Sequence, residues 1–124
     1  MTINTENYVD EAEKVIKSMI DDRGKLQLTT SKIRNILSMV NDIYNDALHY
    51  KEDKIDSELK GRVQYLRMRI AYEAGREKTV KDFVEKADFI KNIKSIGDSK
   101  QNLILFCRYI EALVAYHKYY GGRD

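Results

Sequence analysis

Apolar residues recur along the chain at three- and four-residue intervals, in five blocks separated by short polar stretches. That spacing is the signature of amphipathic helices, and no alternating strand pattern interrupts it. The first block runs from about Thr5 to Ile20, with Val9, Ala12, Val15, Ile16, Met19 and Ile20 on one face and Gly24 as its stop. The second opens at "LTTSK", where Thr29 or Thr30 can accept hydrogen bonds from the exposed first-turn amides. It carries Ile33, Ile36, Leu37, Val40, Ile43, Tyr44, Ala47 and Leu48. The stretch "HYKEDKIDS" reads as a polar connection.

The third block spans about Ser57 to Ala74, with Leu59, Val63, Leu66 and Ile70 as its core stripe. Gly75 is expected to end it, because the residue just past a helix often takes the left-handed conformation that glycine adopts cheaply. The fourth begins at Thr79, a cap for the turn containing Asp82, and continues through Val80, Phe83, Val84, Ala87, Ile90 and Ile93 to Gly97. Asp98 or Ser99 can cap the fifth, "NLILFCRYIEALVAYHKYY", which Gly121 and Gly122 close. This last block is apolar over more than half its circumference, as expected of a helix at the centre of a bundle. The prediction is an all-α fold, a compact bundle of about five helices forming one domain over residues 1–124.

Composition supports this picture. The chain has no Pro, so the commonest helix breaker is missing. No apolar run approaches the roughly 20 residues that a membrane helix needs. The N-terminus lacks the basic and apolar segments of a secretory signal. The single cysteine, Cys107, excludes an internal disulfide. A cytoplasmic protein is expected, with Cys107 as a buried hydrophobe.

The charge is unevenly spread, although the net value is only +2. Residues 5–22 hold six acids against two cations, and residues 60–81 hold seven cations against two acids. At about 100° per residue, Tyr65, Arg69, Tyr72 and Arg76 fall within about 80° of Arg62, while the core stripe centres about 70° to the other side. Arg62, Tyr65, Arg69, Tyr72 and Arg76 therefore share a flank beside the core face. Guanidinium groups make forked hydrogen bonds to phosphate, and tyrosines stack on bases or offer a hydroxyl. The same cations also suit a helix C-terminus, so a solvated charged face is the plainer account of them. On the second helix, Ser31, Asn35, Ser38, Asp42 and Asn45, with Lys32 and Arg34 beside them, form a polar face opposite the apolar one.

Motifs of catalysis are missing. There is no H-E-x-x-H, C-x-x-C, P-loop or G-x-S-x-G. Cys107 and His117 lie about 15 Å apart along one helix, too far to pair. Asp21 and Asp22 read as solvated surface rather than metal ligands, and Glu73 reads as the ion-pair partner of Arg69. Neither an enzyme nor a cofactor is expected.

Three segments carry a resemblance: "LTTSKIRNIL" at 28–37, "YEAGREKTVKDFVEKA" at 72–87 and "CRYIEALVAYHKYY" at 107–120. With the chain length, they resemble the small subunit of type III-A CRISPR–Cas effector complexes, the Csm complexes. The resemblance implies a non-catalytic helical protein that stacks in several copies opposite the backbone subunits holding the guide RNA. It implies contact with the target strand of the guide–target RNA duplex without reading its sequence, and chemistry confined to other subunits, the large subunit among the partners. Carried over by motif, the RNA contacts are Ser31, Lys32, Arg34 and Asn35, then Arg76 and Lys78; helical geometry adds Arg62 and Arg69. Tyr116, Tyr119 and Tyr120 are candidates for contact with a neighbouring copy. Two alternatives stand beside this reading: a helical adaptor that binds only protein, and a helix-turn-helix DNA-binding module.

Overall fold

Six helices carry the chain in a computed structural model that describes residues 1–124: α1 (Tyr8–Ser18), α2 (Thr30–His49), α3 (Ser57–Arg76), α4 (Lys78–Lys86), α5 (Phe89–Lys94) and α6 (Lys100–Tyr119). No sheet forms; isolated bridges join Ile20 to Leu26 and Lys54 to Ser99. The most apolar helix, α6, is central, packing against α1, α2 and α5, while α3 packs on α2, α4 and α5. It buries Leu103, Phe106, Cys107, Tyr109, Ile110 and Leu113, which accounts for its wide apolar surface.

Side chains start three of the helices. The Thr29 hydroxyl accepts from the Lys32 amide (3.3 Å), the Asp56 carboxylate from the Leu59 amide (2.9 Å) and the Ser99 hydroxyl from the Asn102 amide (3.1 Å). Each removes one orphan donor at a helix N-terminus, an effect typically of about 1 kcal/mol.

The single fourth helix expected from the sequence is two. Asp88 takes a left-handed conformation (φ 56°), and the chain bends between α4 and α5. A buried network holds the break. The Tyr109 hydroxyl donates to the Ala87 carbonyl (3.1 Å), and the Asn92 amide reaches the same oxygen (3.5 Å). Asn92 also accepts from the Thr2 backbone amide (2.9 Å), which anchors the N-terminus. Phe89 then enters the core edge-on to Phe83, Phe106 and Tyr109, at centroid distances of 5.2, 5.8 and 6.2 Å. A straight helix would turn Phe89 away from these three rings.

The corner between α3 and α4 also differs from expectation. Gly75 stays within α3 and has no positive φ; the helix runs on to Arg76. Glu77 makes the corner in an extended conformation (φ −140°, ψ 130°), closing α3 and opening α4. Thr79 lies inside α4 and is not its cap. The corner is set by burial: Val80, Phe83 and Val84 must face the core, and one extended residue achieves that turn. At the start of the chain, α1 is shorter than predicted because Asn4 and Asn7 fold residues 4–7 into a turn, Asn4 accepting from the Glu6 and Asn7 amides (2.9 Å each). Val9 and Leu48, placed on apolar faces by periodicity, are exposed. The polar connection before α3 buries Ile55, whose amide bonds the Asp98 carbonyl (2.8 Å).

Candidate nucleic-acid interface

The outer flank of α3 is assembled as its periodicity predicts. Tyr65 and Tyr72 are 58% and 62% exposed, which is far more than burial of a core edge would leave. The Arg69 guanidinium sits 5.9 Å from the Tyr65 ring centroid, and that of Arg76 sits 5.6 Å from Tyr72. Both lie within cation–π range. Met68, 56% exposed, sits beside the two tyrosines and adds an apolar side chain to this surface. A shallow groove of about 170 Å³ runs beside the flank, lined by Met39, Asp42, Arg62, Tyr65 and Arg69.

The cations on this flank differ in how committed they are. Arg69 has no ion-pair partner. Arg62 donates to Asp46 of α2 at 2.6 Å. Arg76 meets Glu73 at 3.3 Å, so Glu73 pairs with Arg76 and not with Arg69 as the spacing suggested. Both arrangements are partly exposed, and exposed pairs typically contribute no more than about 1 kcal/mol. A phosphate can therefore compete for either arginine.

The motif residues of α2 meet the α3–α4 corner. Lys32 bonds Glu77 at 2.6 Å, bringing the start of α2 beside the turn that carries Arg76 and Lys78. Lys78 and the side chains of Arg34 and Asn35 are exposed. Ser31 is already engaged: its amide (2.8 Å) and hydroxyl (2.7 Å) both donate to Asp124. Those two bonds hold the Asp124 carboxyl below its ordinary range. The eight predicted residues thus form two groups. Ser31, Lys32, Arg34, Asn35, Arg76 and Lys78 lie on the α2 start and the corner, with Arg62 and Arg69 further along α3. Arg62 and Arg76 are about 21 Å apart along the axis at 1.5 Å per residue. Sequence reasoning missed Asp46, Glu77 and Asp124 as partners, because only the fold brings them to these cations.

Other groups serve structure. Asp21 accepts from the Arg23 and Lys25 amides (2.9 and 3.0 Å) and from the Gln27 side chain (2.6 Å). These bonds, led by the Lys25 amide, lower its pKa to about 2. No group of acids, histidines and cysteine is arranged to hold a metal ion. Cys107 is buried, and burial, with Glu111 nearby, pushes its thiol up to about 12. At the end of α6, Tyr116, Tyr119 and Tyr120 pack ring to ring at 5.1–6.3 Å. Tyr120 donates to Glu13 (2.6 Å), and Tyr119 is 76% exposed. No helix is long and apolar enough to cross a membrane.

Fold and surface together define a small all-helical protein, with its most distinctive surface chemistry on an exposed Arg/Tyr flank. The family model described as Csm2 Type III-A matches residues 3–123. The chain is 48% identical over 123 residues to a CRISPR system Cms protein Csm2 of Streptococcus thermophilus, covering 98% of each. It is 39% identical to the protein of that name in Mycobacterium tuberculosis, covering 100% of this chain and 99% of the relative. A third relative, from Enterococcus italicus, is 33% identical over 95% of this chain and 90% of its own. The chain belongs to the type III-A Csm2 family, the non-catalytic small subunit of the CRISPR Csm complex, and works with other Csm subunits.

Proposed function

We propose that this subunit holds the target RNA strand of a guide–target duplex through its sugar-phosphate backbone, without reading sequence, and stacks in several copies within the cytoplasmic complex. The observation that carries this reading is Arg69, an unpaired guanidinium over the exposed Tyr65; the stacking, though not the lack of an ion pair, recurs two helical turns on in Arg76 over Tyr72. Phosphate takes the guanidinium fork, and the tyrosines meet ribose or bases. Ser31, Lys32, Arg34, Asn35 and Lys78 extend the surface across the corner that Lys32 and Glu77 hold together. Tyr119 and its neighbours are the proposed contact with the next copy.

Titration of labelled mixed-sequence RNA into the purified chain at several salt concentrations tests this. Arg69→Ala with Arg76→Ala should weaken binding about equally for unrelated sequences. The slope of log affinity against log salt should fall by roughly 0.7 for each phosphate left unneutralised on a single strand. Weaker affinity for one sequence only would overturn the backbone mechanism.

Met68 supports a second reading, in which the flank docks on another protein subunit. Tyr65, Met68 and Tyr72 form an exposed stripe of the residue types enriched at protein interfaces. Unchanged RNA binding, together with failure to copurify a neighbouring subunit, in the Met68→Lys chain would favour it. For a helix-turn-helix reading, the α2–α3 connection over residues 50–56 is long.

A further inference from the structure

The strongest unassigned feature lies on the opposite flank of α3. A cleft of about 520 Å³ opens between α3, the end of α5 and the turn into α6, with Lys60, Gln64, Arg67, Lys94 and Asp98 on its walls. Its floor is apolar and closed: Val63 and Ile93 are both buried. Lys60 and Arg67 lie about 140–160° around the helix from Arg62, so α3 carries cations on both sides of its core stripe. Three separate elements converge here, and hydrogen bonds hold the surrounding turn. The Ile55 amide bonds the Asp98 carbonyl (2.8 Å), and the Lys100 amide bonds the Asp53 carbonyl (3.0 Å).

The charges of this cleft are unsatisfied. Lys60, Arg67 and Lys94 form no ion pair, whereas Lys32, Arg62 and Arg76 on the other side each hold a carboxylate. Asp98 shares the cleft without pairing to any of the three. Three cations against the single carboxylate of Asp98, around one concavity with a low-dielectric floor, leave a net positive potential in it. An anion that entered would relieve their mutual repulsion and displace no internal partner.

We propose that this cleft is a second site for the phosphodiester backbone of a nucleic-acid strand, separate from the Arg69–Arg76 flank. It deepens the RNA reading above and shares with it only the class of ligand. Lys60 and Arg67 are about 10 Å apart along α3, so the two can meet different phosphates of one strand. The Arg67 guanidinium matches phosphate through two parallel bonds. The Gln64 amide both donates and accepts, which suits a ribose hydroxyl. No aromatic side chain lines the cleft, so it grips backbone and not bases. It also lacks an exposed apolar anchor, which a protein partner would need at the centre of its interface.

The test compares the full-length wild-type chain with the Lys60→Gln/Arg67→Gln/Lys94→Gln chain and, in parallel, the Arg69→Ala/Arg76→Ala chain. The probe is fluorescein-labelled mixed-sequence RNA, read by anisotropy over a salt series. The cleft variant should bind all sequences more weakly, with a salt slope shallower by roughly 2 if three phosphates are no longer neutralised. Amide resonances of Gln64, Lys94 and Gly97 in the unmodified protein should shift on adding RNA, a readout that does not depend on the variant folding. Wild-type affinity and slope in a folded cleft variant, or unshifted amides in the wild type, would overturn the site. Weakening confined to the Arg69/Arg76 chain would also overturn it, while leaving the flank reading intact. Weakening confined to the cleft variant would support it and remove the flank reading. Tighter binding of poly-glutamate than of RNA at the same resonances would overturn the nucleic-acid assignment.

Discussion

His117 Nε2 lies 2.6 Å from the carbonyl oxygen of Leu28, joining the end of α6 to the segment just before α2. A carbonyl only accepts, so the Nε2–H donates, and both residues are buried. Gly122 packs against the same imidazole, and its amide bonds the His117 carbonyl (2.8 Å). A Cβ at Gly122 would run into the ring. His117→Ala leaves the Leu28 oxygen unpaired and opens a cavity, a change expected to cost about 2–4 kcal/mol. Gly122→Ala must push the ring off its partner, at about 1–3 kcal/mol. Urea unfolding should show both destabilisations, and Gly121→Ala, strained by its φ of 88° but without the ring contact, should not weaken the Leu28 link. Wild-type stability of Gly122→Ala would show that the ring moves freely.

Gly75 gives an opposite result to the one its position suggests. It lies in the last turns of α3 with ordinary helical backbone, and a Cβ there meets nothing within 4 Å. Glycine in a helix costs roughly 0.5–1 kcal/mol relative to alanine. Gly75→Ala should therefore raise stability by about that amount, with the corner at Glu77 unchanged. Thermal unfolding followed by circular dichroism checks it. Destabilisation would mean that the corner needs glycine after all.

These two glycines show what the sequence can express. Periodicity locates α2, α3 and α6 within a few residues, because each buries a continuous stripe against neighbours. It places the Arg/Tyr flank correctly because that flank depends on one helix alone. What it misses depends on contacts between distant segments. The bend at Asp88 follows from Tyr109 and Asn92 reaching one carbonyl, and no local signal in "VEKADFIKN" announces it. The pairing of Lys32 with Glu77 and of Arg62 with Asp46 is invisible for the same reason. The cleft at Lys60, Arg67 and Lys94 needs α5 to be brought beside α3. Gly75 carries the local signal of a stop, but core burial of Val80, Phe83 and Val84 sets the corner two residues later, at Glu77.

Cys107 should be chemically silent in the folded chain. Its thiol is pushed up from 9.0 to about 12, first by burial and then by Glu111. The thiolate is the reactive species, so native labelling should be slow and should follow unfolding. The pH dependence has a definite sign. The folded state holds the proton more tightly than the unfolded state, so this contribution to stability is complete below about pH 9. It is lost as pH rises through about 12. Denaturant midpoints should fall across that window more in the wild type than in Cys107→Ala, after correction for the variant's own cavity cost. Rapid stoichiometric labelling of the native chain at pH 8 would contradict the buried placement.

Two arginines of the α3 flank should respond differently to substitution. Arg62 is held at 2.6 Å by Asp46, whereas Arg69 has no carboxylate and rests over Tyr65. For RNA to engage Arg62, its phosphate must displace Asp46 and then sit near that released negative charge. Arg69 meets neither obstacle. Arg69→Ala should therefore weaken RNA binding several-fold more than Arg62→Ala. Asp46→Asn should strengthen binding, because it removes a competing anion and keeps the side chain's size. The gain should vanish when Asp46→Asn is combined with Arg62→Ala, which separates release of Arg62 from a general change in net charge. Both Asp46 and Arg62 are partly exposed, so the pair adds no more than about 1 kcal/mol to folding, and the variants should stay helical. Anisotropy titrations at two salt concentrations, with circular dichroism as the folding control, give all three comparisons. Equal weakening by Arg62→Ala and Arg69→Ala, with no gain from Asp46→Asn, would show that Asp46 does not restrain Arg62 in solution. A gain that survives in the double variant would assign the effect to long-range charge alone.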